Sequence, residues 1–186
     1  MLGKIRNKKY KKYLTQAGFT IMELIVSIFI IALISGILVV NYRGASQRSN
    51  LINVVQKAIS DVKLAESYSL GSKEYDGAMP AGGWGIIFSL ASPDSYIIFA
   101  DENNNQQYDI GEADSAKGGK TIILPSGVSL DSINLGNRVD IIFLPPDPTI
   151  FINGAGDAAR VRFKETTNNS TKTMEVNSLG LAEAVD

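Results

Sequence analysis

Apolar side chains follow three rhythms along this chain. Residues 19–40 form a nearly unbroken apolar run with one charge, Glu23. Wound as an α-helix at about 1.5 Å per residue, that run is roughly 33 Å long, enough to cross a bilayer. From residue 51 the rhythm changes. Leu51, Val54, Val55, Ala58, Val62 and Ala65 recur at steps of three and four, while Ser49, Asn50, Gln56, Lys57, Asp61, Lys63 and Glu66 take the other faces. This spacing predicts an amphipathic helix with one face in a soluble core. No proline interrupts residues 19–70. One helix of roughly 50 residues, about 75 Å at the standard rise, is therefore expected, with Gly71 and Ser72 as its stop.

Beyond a Gly-, Pro- and Ala-rich loop at residues 75–83, the third rhythm is that of strands. Segments 84–89, 95–101, 121–124, 128–135, 139–144, 160–165, 171–177 and 181–185 are expected to be extended, parted by turns such as Ser92-Pro93-Asp94, Pro125-Ser126-Gly127 and Asn168-Asn169-Ser170. Pro145-Pro146-Asp147-Pro148 is expected to be a loop, since proline is excluded from central strands. A helix followed by many short strands means an α+β fold, with the long N-terminal helix packed on an antiparallel sheet or sandwich. The expected organisation is a leader at 1–18, a membrane helix at 19–40, its amphipathic continuation at 41–72 and a β-rich domain at 73–186.

Charge sharpens the division. The formal net charge is −1, yet residues 1–18 contain Lys4, Arg6, Lys8, Lys9, Lys11 and Lys12 and no acid. Setting these six aside leaves 12 basic against 19 acidic residues, or −7 for the remainder. A domain of that sign does not attract nucleic acid by its overall field, and no nucleic-acid partner is expected. The chain has neither Cys nor His. Cysteine nucleophiles, Ser–His triads, histidine bases and His-ligated zinc are thereby excluded, leaving only carboxylate or Ser–Lys chemistry, and no enzyme is expected. Without disulfides, packing alone holds the domain.

The basic residues ahead of the apolar run place that end in the cytoplasm and the rest of the chain outside it. Three readings of the segment compete. A secretory signal has a core of about 7–15 apolar residues and small residues beyond it. Here residues 24–40 run uninterrupted for 17 residues, and Arg43-Gly44-Ala45-Ser46 is a poor cleavage site. A plain anchor fits the length but leaves Glu23 unexplained, because a carboxylate costs about 3 kcal/mol at mid-bilayer and less near its edge. Cleavage after Gly18 explains both residues. It creates an α-amine on Phe19, four residues before Glu23, and in a bundle of such helices the carboxylate of one subunit neutralises the amine of a neighbour. An unpaired charge is penalised, so the pair selects correct axial register.

The stretch Lys11-Lys12-Tyr13-Leu14-Thr15-Gln16-Ala17-Gly18-Phe19-Thr20-Ile21-Met22-Glu23-Leu24 resembles the class III signal of type IV prepilins and type II secretion pseudopilins. The resemblance implies cleavage by a membrane aspartyl prepilin peptidase, N-methylation of Phe19, and assembly with other pilin or pseudopilin subunits through the N-terminal helix. An assembly ATPase and a platform protein are further implied partners. One departure is Val39-Val40-Asn41, where many major pilins carry a helix-kinking proline. Gly36 can still loosen the helix, and a curved stalk is expected. Tyr96 to Asp101 with the acidic stretch after it, and Thr173-Met174-Glu175-Val176-Asn177-Ser178-Leu179-Gly180-Leu181, resemble hairpins of H-type pseudopilins and minor pilins. This favours a low-abundance subunit, held in the bacterial inner membrane before entering a pilus or pseudopilus.

Residues 101–112 are a separate candidate. Asp101, Asn103, Asn105, Asp109 and Glu112 stand at places 1, 3, 5, 9 and 12, with Gln107 at the place of a backbone carbonyl ligand. That is the oxygen spacing of a calcium loop, except that Gln106 replaces the glycine of the sharp turn. Asn and Asp also fill such loops by bonding their own backbone, so a solvated Asx turn and a calcium site both stand. The rival functions are a major pilin of a surface fibre, a membrane-anchored extracytoplasmic binding module using this loop, and a tethered hydrolase needing a carboxylate pair.

Overall fold

The structure is a computed structural model that describes residues 18–146, 149–153 and 158–185, without the side chains of residues 39–47. The expected basic leader, apart from Gly18, lies outside the described residues. Helix α1 (Ile21–Leu70) begins where Thr20 caps it: the Thr20 hydroxyl accepts the Glu23 N–H at 3.2 Å. It ends in a paired closure. Lys73 N–H reaches Tyr68 C=O at 2.9 Å and Ser72 N–H reaches Ser69 C=O at 3.2 Å. The left-handed residue that turns the chain is Ser72, at φ 51°, rather than Gly71.

The chain divides into two compact units, Met1–Asn41 and Tyr42–Asp186. In the first, Ile21–Leu38 has a mean hydropathy of 2.7 and is exposed throughout, long and apolar enough to cross a membrane. By length and composition it fits a membrane anchor or a signal sequence.

The second unit is α+β, with two antiparallel sheets. Among the described residues nine strands follow the helix: β1 (Trp84–Ser89), β2 (Ser95–Ala100), β3 (Lys120–Ile123), β4 (Val128–Ile133), β5 (Arg138–Leu144), β6 (Thr149–Ile152), β7 (Ala158–Glu165), β8 (Thr171–Asn177) and β9 (Ala182–Val185). The five-stranded sheet runs β3-β2-β1-β5-β6 and the four-stranded sheet β4-β7-β8-β9. Strand β6 was not expected from the sequence; it pairs with β5, Ile150 opposite Phe143. Strand β4 stops at Ile133 rather than residue 135, after a register shift between Leu130 and Ser132. Pro145 and Pro146 form a turn as expected, and residues 147–148 lie outside the described residues.

One buried cluster joins the unit. Leu51, Val54, Val55, Ala58, Ile59, Val62 and Ala65 of α1 share it with Trp84, Ile86 and Phe88 of β1 and with Val161, Phe163, Met174 and Val176 of β7 and β8. Phe88 meets Phe163 edge-on, ring centroids 6.3 Å apart. The other face of the five-stranded sheet carries a smaller apolar patch of Ile87, Phe99 and Ile142, covered by Tyr108 and Ala113 from the loop after β2. Gly85 lies beneath it, because a Cβ there would meet Ile142 Cγ1 at 2.7 Å and Phe99 Cζ at 2.9 Å.

One expected outward residue is corrected. Asp61 is 1% exposed. The Lys57 ammonium bonds one of its oxygens and Tyr96 Oη donates to the other at 2.7 Å. A buried carboxylate needs such partners, and these are one helical turn and 35 residues away. Burial, then the Asp61 hydrogen bond, pushes the Tyr96 phenol far above its usual range.

Candidate functional site

At the N-terminal end of α1, Gly18 is exposed, with no neighbouring atom where a side chain would stand. Phe19 is exposed beside it, Thr20 caps the helix, and Glu23 falls in the first turn. The Thr20-x-x-Glu23 spacing is that of a capping box, a signal the sequence reading passed over. Only half of the box forms. The threonine oxygen holds the Glu23 N–H, while among the described residues the Glu23 carboxylate has no partner. An anion there is favoured by the positive end of the helix dipole, and any cation brought to that end needs a counter-charge.

The 101–112 loop is closed by its own hydrogen bonds. Its two ends are pinned: Ala100 N–H donates to Glu112 C=O at 3.0 Å, and Asp101 N–H to Gly83 C=O at 3.0 Å. The buried Asp101 carboxylate accepts the N–H groups of Asn105 at 3.2 Å and Gln106 at 2.9 Å. Asn103 Oδ1 accepts the Asn105 N–H at 3.0 Å, and Asn105 Oδ1 accepts the Gln107 N–H at 2.9 Å. The carboxamides of Asn103 and Asn105 donate to Asp109 Oδ2 at 2.8 and 2.7 Å. Glu112 spans the loop, its Oε1 accepting Glu102 N–H at 3.1 Å and its Oε2 accepting Asp109 N–H at 2.8 Å.

The hydrogen bonds from Asn103 and then Asn105 hold the Asp109 carboxyl below its usual range. Burial pushes Glu112 above its usual range, against the backbone N–H groups that lower it. Gln106 itself adopts φ 62°, making the left-handed turn that glycine makes in calcium loops. The structure thus brings five of the six candidate ligands into one network, and Gln107 joins through its backbone. These oxygens accept N–H groups of the loop backbone and of its carboxamides. Among the described residues no three acidic side chains are grouped to hold a metal. The donor set fits an Asx-rich turn.

The loop is fastened to the sheet by residues that the sequence reading missed. Asp140 of β5 is fully buried. It takes a forked pair from Arg138, Nε to Oδ2 at 2.8 Å and Nη2 to Oδ1 at 2.7 Å, and the Tyr108 N–H at 3.2 Å. Asn153 bonds both its carboxylate and its backbone, with Asp140 N–H to Asn153 Oδ1 at 2.8 Å. Arg138 also donates to Tyr108 C=O at 2.8 Å. An Arg-x-Asp pair on a strand was the available signal. Its partners, 13 to 32 residues from Asp140, were not.

No family model matches this chain, and no curated protein or solved structure matches it. Residues and geometry alone carry its functional reading.

Proposed function

We propose that this chain is a structural subunit of the type IV pilin-like kind, a minor pilin or pseudopilin, cut between Gly18 and Phe19 and methylated on Phe19. The observation that carries this reading is Glu23, the solitary charge on an exposed apolar helix and one turn from the Gly18–Phe19 bond. Cleavage places a positive amine at the helix end where the dipole disfavours it. A neighbouring subunit's Glu23 supplies the missing counter-charge within the lipid or the fibre. The rest of residues 21–38 then exchanges lipid for neighbouring helices, an exchange driven by packing.

In this reading the subunit starts as a single-pass inner-membrane protein, N-terminus inside and β-rich unit outside. It passes through the peptidase/methyltransferase and the assembly platform into a pilus or pseudopilus. Intact-mass analysis of protein from its native membrane tests this. The expected species begins at methylated Phe19, and a species retaining Met1 and the leader lysines overturns the assignment in favour of an anchored binding module. Glu23→Val is expected to insert normally but to lose incorporation into fibres. Wild-type incorporation would sink the pairing role.

A further inference from the structure

The second unit is acidic as a whole but not over its first stretch of helix. Residues 61–186 carry nine basic and eighteen acidic side chains, whereas residues 42–60 carry Arg43, Arg48 and Lys57 and no acid. Lys57 is engaged by Asp61, one turn further on. Arg48 is exposed and, among the described residues, has no carboxylate partner.

Arg48 lines an open cavity of about 270 Å³, together with Leu51 and Ile52 of α1 and with Ser170, Thr171 and Lys172 at the β7–β8 turn. Among the described residues no carboxylate lines it. The two acids that flank the turn are directed elsewhere. Glu165 is buried, and its oxygens accept the Thr167 and Asn168 N–H groups at 2.9 and 2.8 Å, while Glu175 is paired with Arg160. Two cationic and two hydroxyl-bearing side chains thus share one concavity, with the partly exposed Ile52 at its apolar side. Phosphate is the ligand class that such donors recognise.

We propose that this cavity binds the phosphate headgroup of an anionic phospholipid in the bilayer that residues 21–38 cross. Chain connectivity selects a lipid over free phosphate. Val40 ends the apolar run, and Arg48 follows eight residues later in the same helix, about 12 Å at the standard rise. The headgroup layer is roughly 5–7 Å deep on each side, and its charge is felt for about 8 Å more at physiological salt. Arg48 falls inside that reach, and side chains on a helix lean toward its N-terminus, here the end nearer the span. The contact offsets the repulsion between an acidic domain and an anionic surface. It rests on the membrane helix of the reading above, but neither on cleavage at Gly18 nor on Glu23.

In the test, the full chain in mild non-ionic detergent is titrated with a short-chain phosphatidylglycerol, with the phosphatidylcholine of the same chains, and with inorganic phosphate. The melting midpoint is read from the fluorescence of Trp84, which is buried in the core. Phosphatidylglycerol is expected to raise the midpoint, and the other two to leave it unchanged. One cation near a charged lipid surface is worth about fivefold in affinity. Arg48→Gln should therefore need about fivefold more lipid for the same shift, and Arg48→Gln/Lys172→Gln about 25-fold more. Lys63→Gln/Lys120→Gln removes the same charge at two other exposed positions and should respond as wild type. Arg48 is exposed, so its single variant carries the test even where the double variant fails to fold. A wild-type response from Arg48→Gln, or an equal shift with phosphatidylcholine, overturns the proposal. A shift with inorganic phosphate alone overturns the lipid as the ligand. No shift in chains that begin at methylated Phe19 removes this site and leaves the fibre reading standing. The lipid response in chains that keep Met1 does the reverse.

Discussion

Replacing Asp140 with alanine is the sharpest test of how the loop is held. The substitution removes the acceptor of four hydrogen bonds, from Arg138 Nε and Nη2, the Tyr108 N–H and the Asn153 carboxamide. Breaking a buried ion pair from one side costs about 3–5 kcal/mol, because the remaining charge stays desolvated. Here the Arg138 side chain is 38% exposed, so water recovers part of that charge and the lower end applies. A loss of about 3 kcal/mol is expected, or very roughly 10 °C in the melting midpoint for a domain of this size. Trp84, the sole tryptophan and buried in the core, reports the transition by fluorescence during urea unfolding of the full chain in detergent. Backbone amides near Tyr108 should exchange faster, since Tyr108 is one of the loop's ties to the sheet. The double variant Arg138→Met/Asp140→Leu, which removes both charges but leaves the Tyr108 N–H and the Asn153 carboxamide without their acceptor, should recover part of the loss. A single-variant loss under about 1 kcal/mol would refute the account, as would a double variant no better than the single.

Gln106→Gly should raise stability by about 0.5–1 kcal/mol in the same urea assay, because a non-glycine residue is relieved of a left-handed turn. Calcium or a chelator should leave the melting midpoint unchanged, in keeping with oxygens already engaged by loop N–H donors; an upward shift with calcium would reinstate the metal site. The Asn103 and then Asn105 carboxamides hold the Asp109 carboxyl below the usual carboxylate range, so its stabilisation is present above that range and is lost as pH falls through the lower folded value. The melting difference between wild type and Asp109→Asn should therefore be present near pH 6 and vanish on acidification. Glu112 works oppositely. Raised above the usual carboxylate range by burial, it weakens the fold as pH rises from that range through its folded value.

What could be seen from the sequence was local and periodic. The buried stripe of α1 was legible because six apolar residues repeat at helical spacing, and all six are buried. Strands β1 and β8 coincide with the expected segments because turn residues bracket them. Asp61 was misplaced because spacing assigns a face by polarity, while its burial depends on Tyr96, brought alongside only by the fold. Strand β6 has four residues and follows a proline-rich turn, so nothing local distinguishes it from the loop; its partner β5 supplies the pairing. Sheet order was also hidden, since β1 pairs with β5 across a sequence separation of 49 to 59 residues. In the 101–112 loop, the residue types were legible but the direction of their oxygens was not. Asn and Asp offer the same atoms to a cation and to a backbone N–H.

The buried cluster has a temporal consequence. Its first contributor is Leu51 and its last Ala182, and the walls between them come from nearly every strand. In a growing chain that interior is completed late, because β7, β8 and β9 follow α1, β1, β2 and β5 in sequence. Until the closing strands arrive, the inward face of the helix has its partners from β1, β2 and β5 but not those from β7 and β8. Losing the carboxyl end from β8 onward, which takes Met174 and Val176 out of the cluster, should resemble failure to fold more than simple trimming.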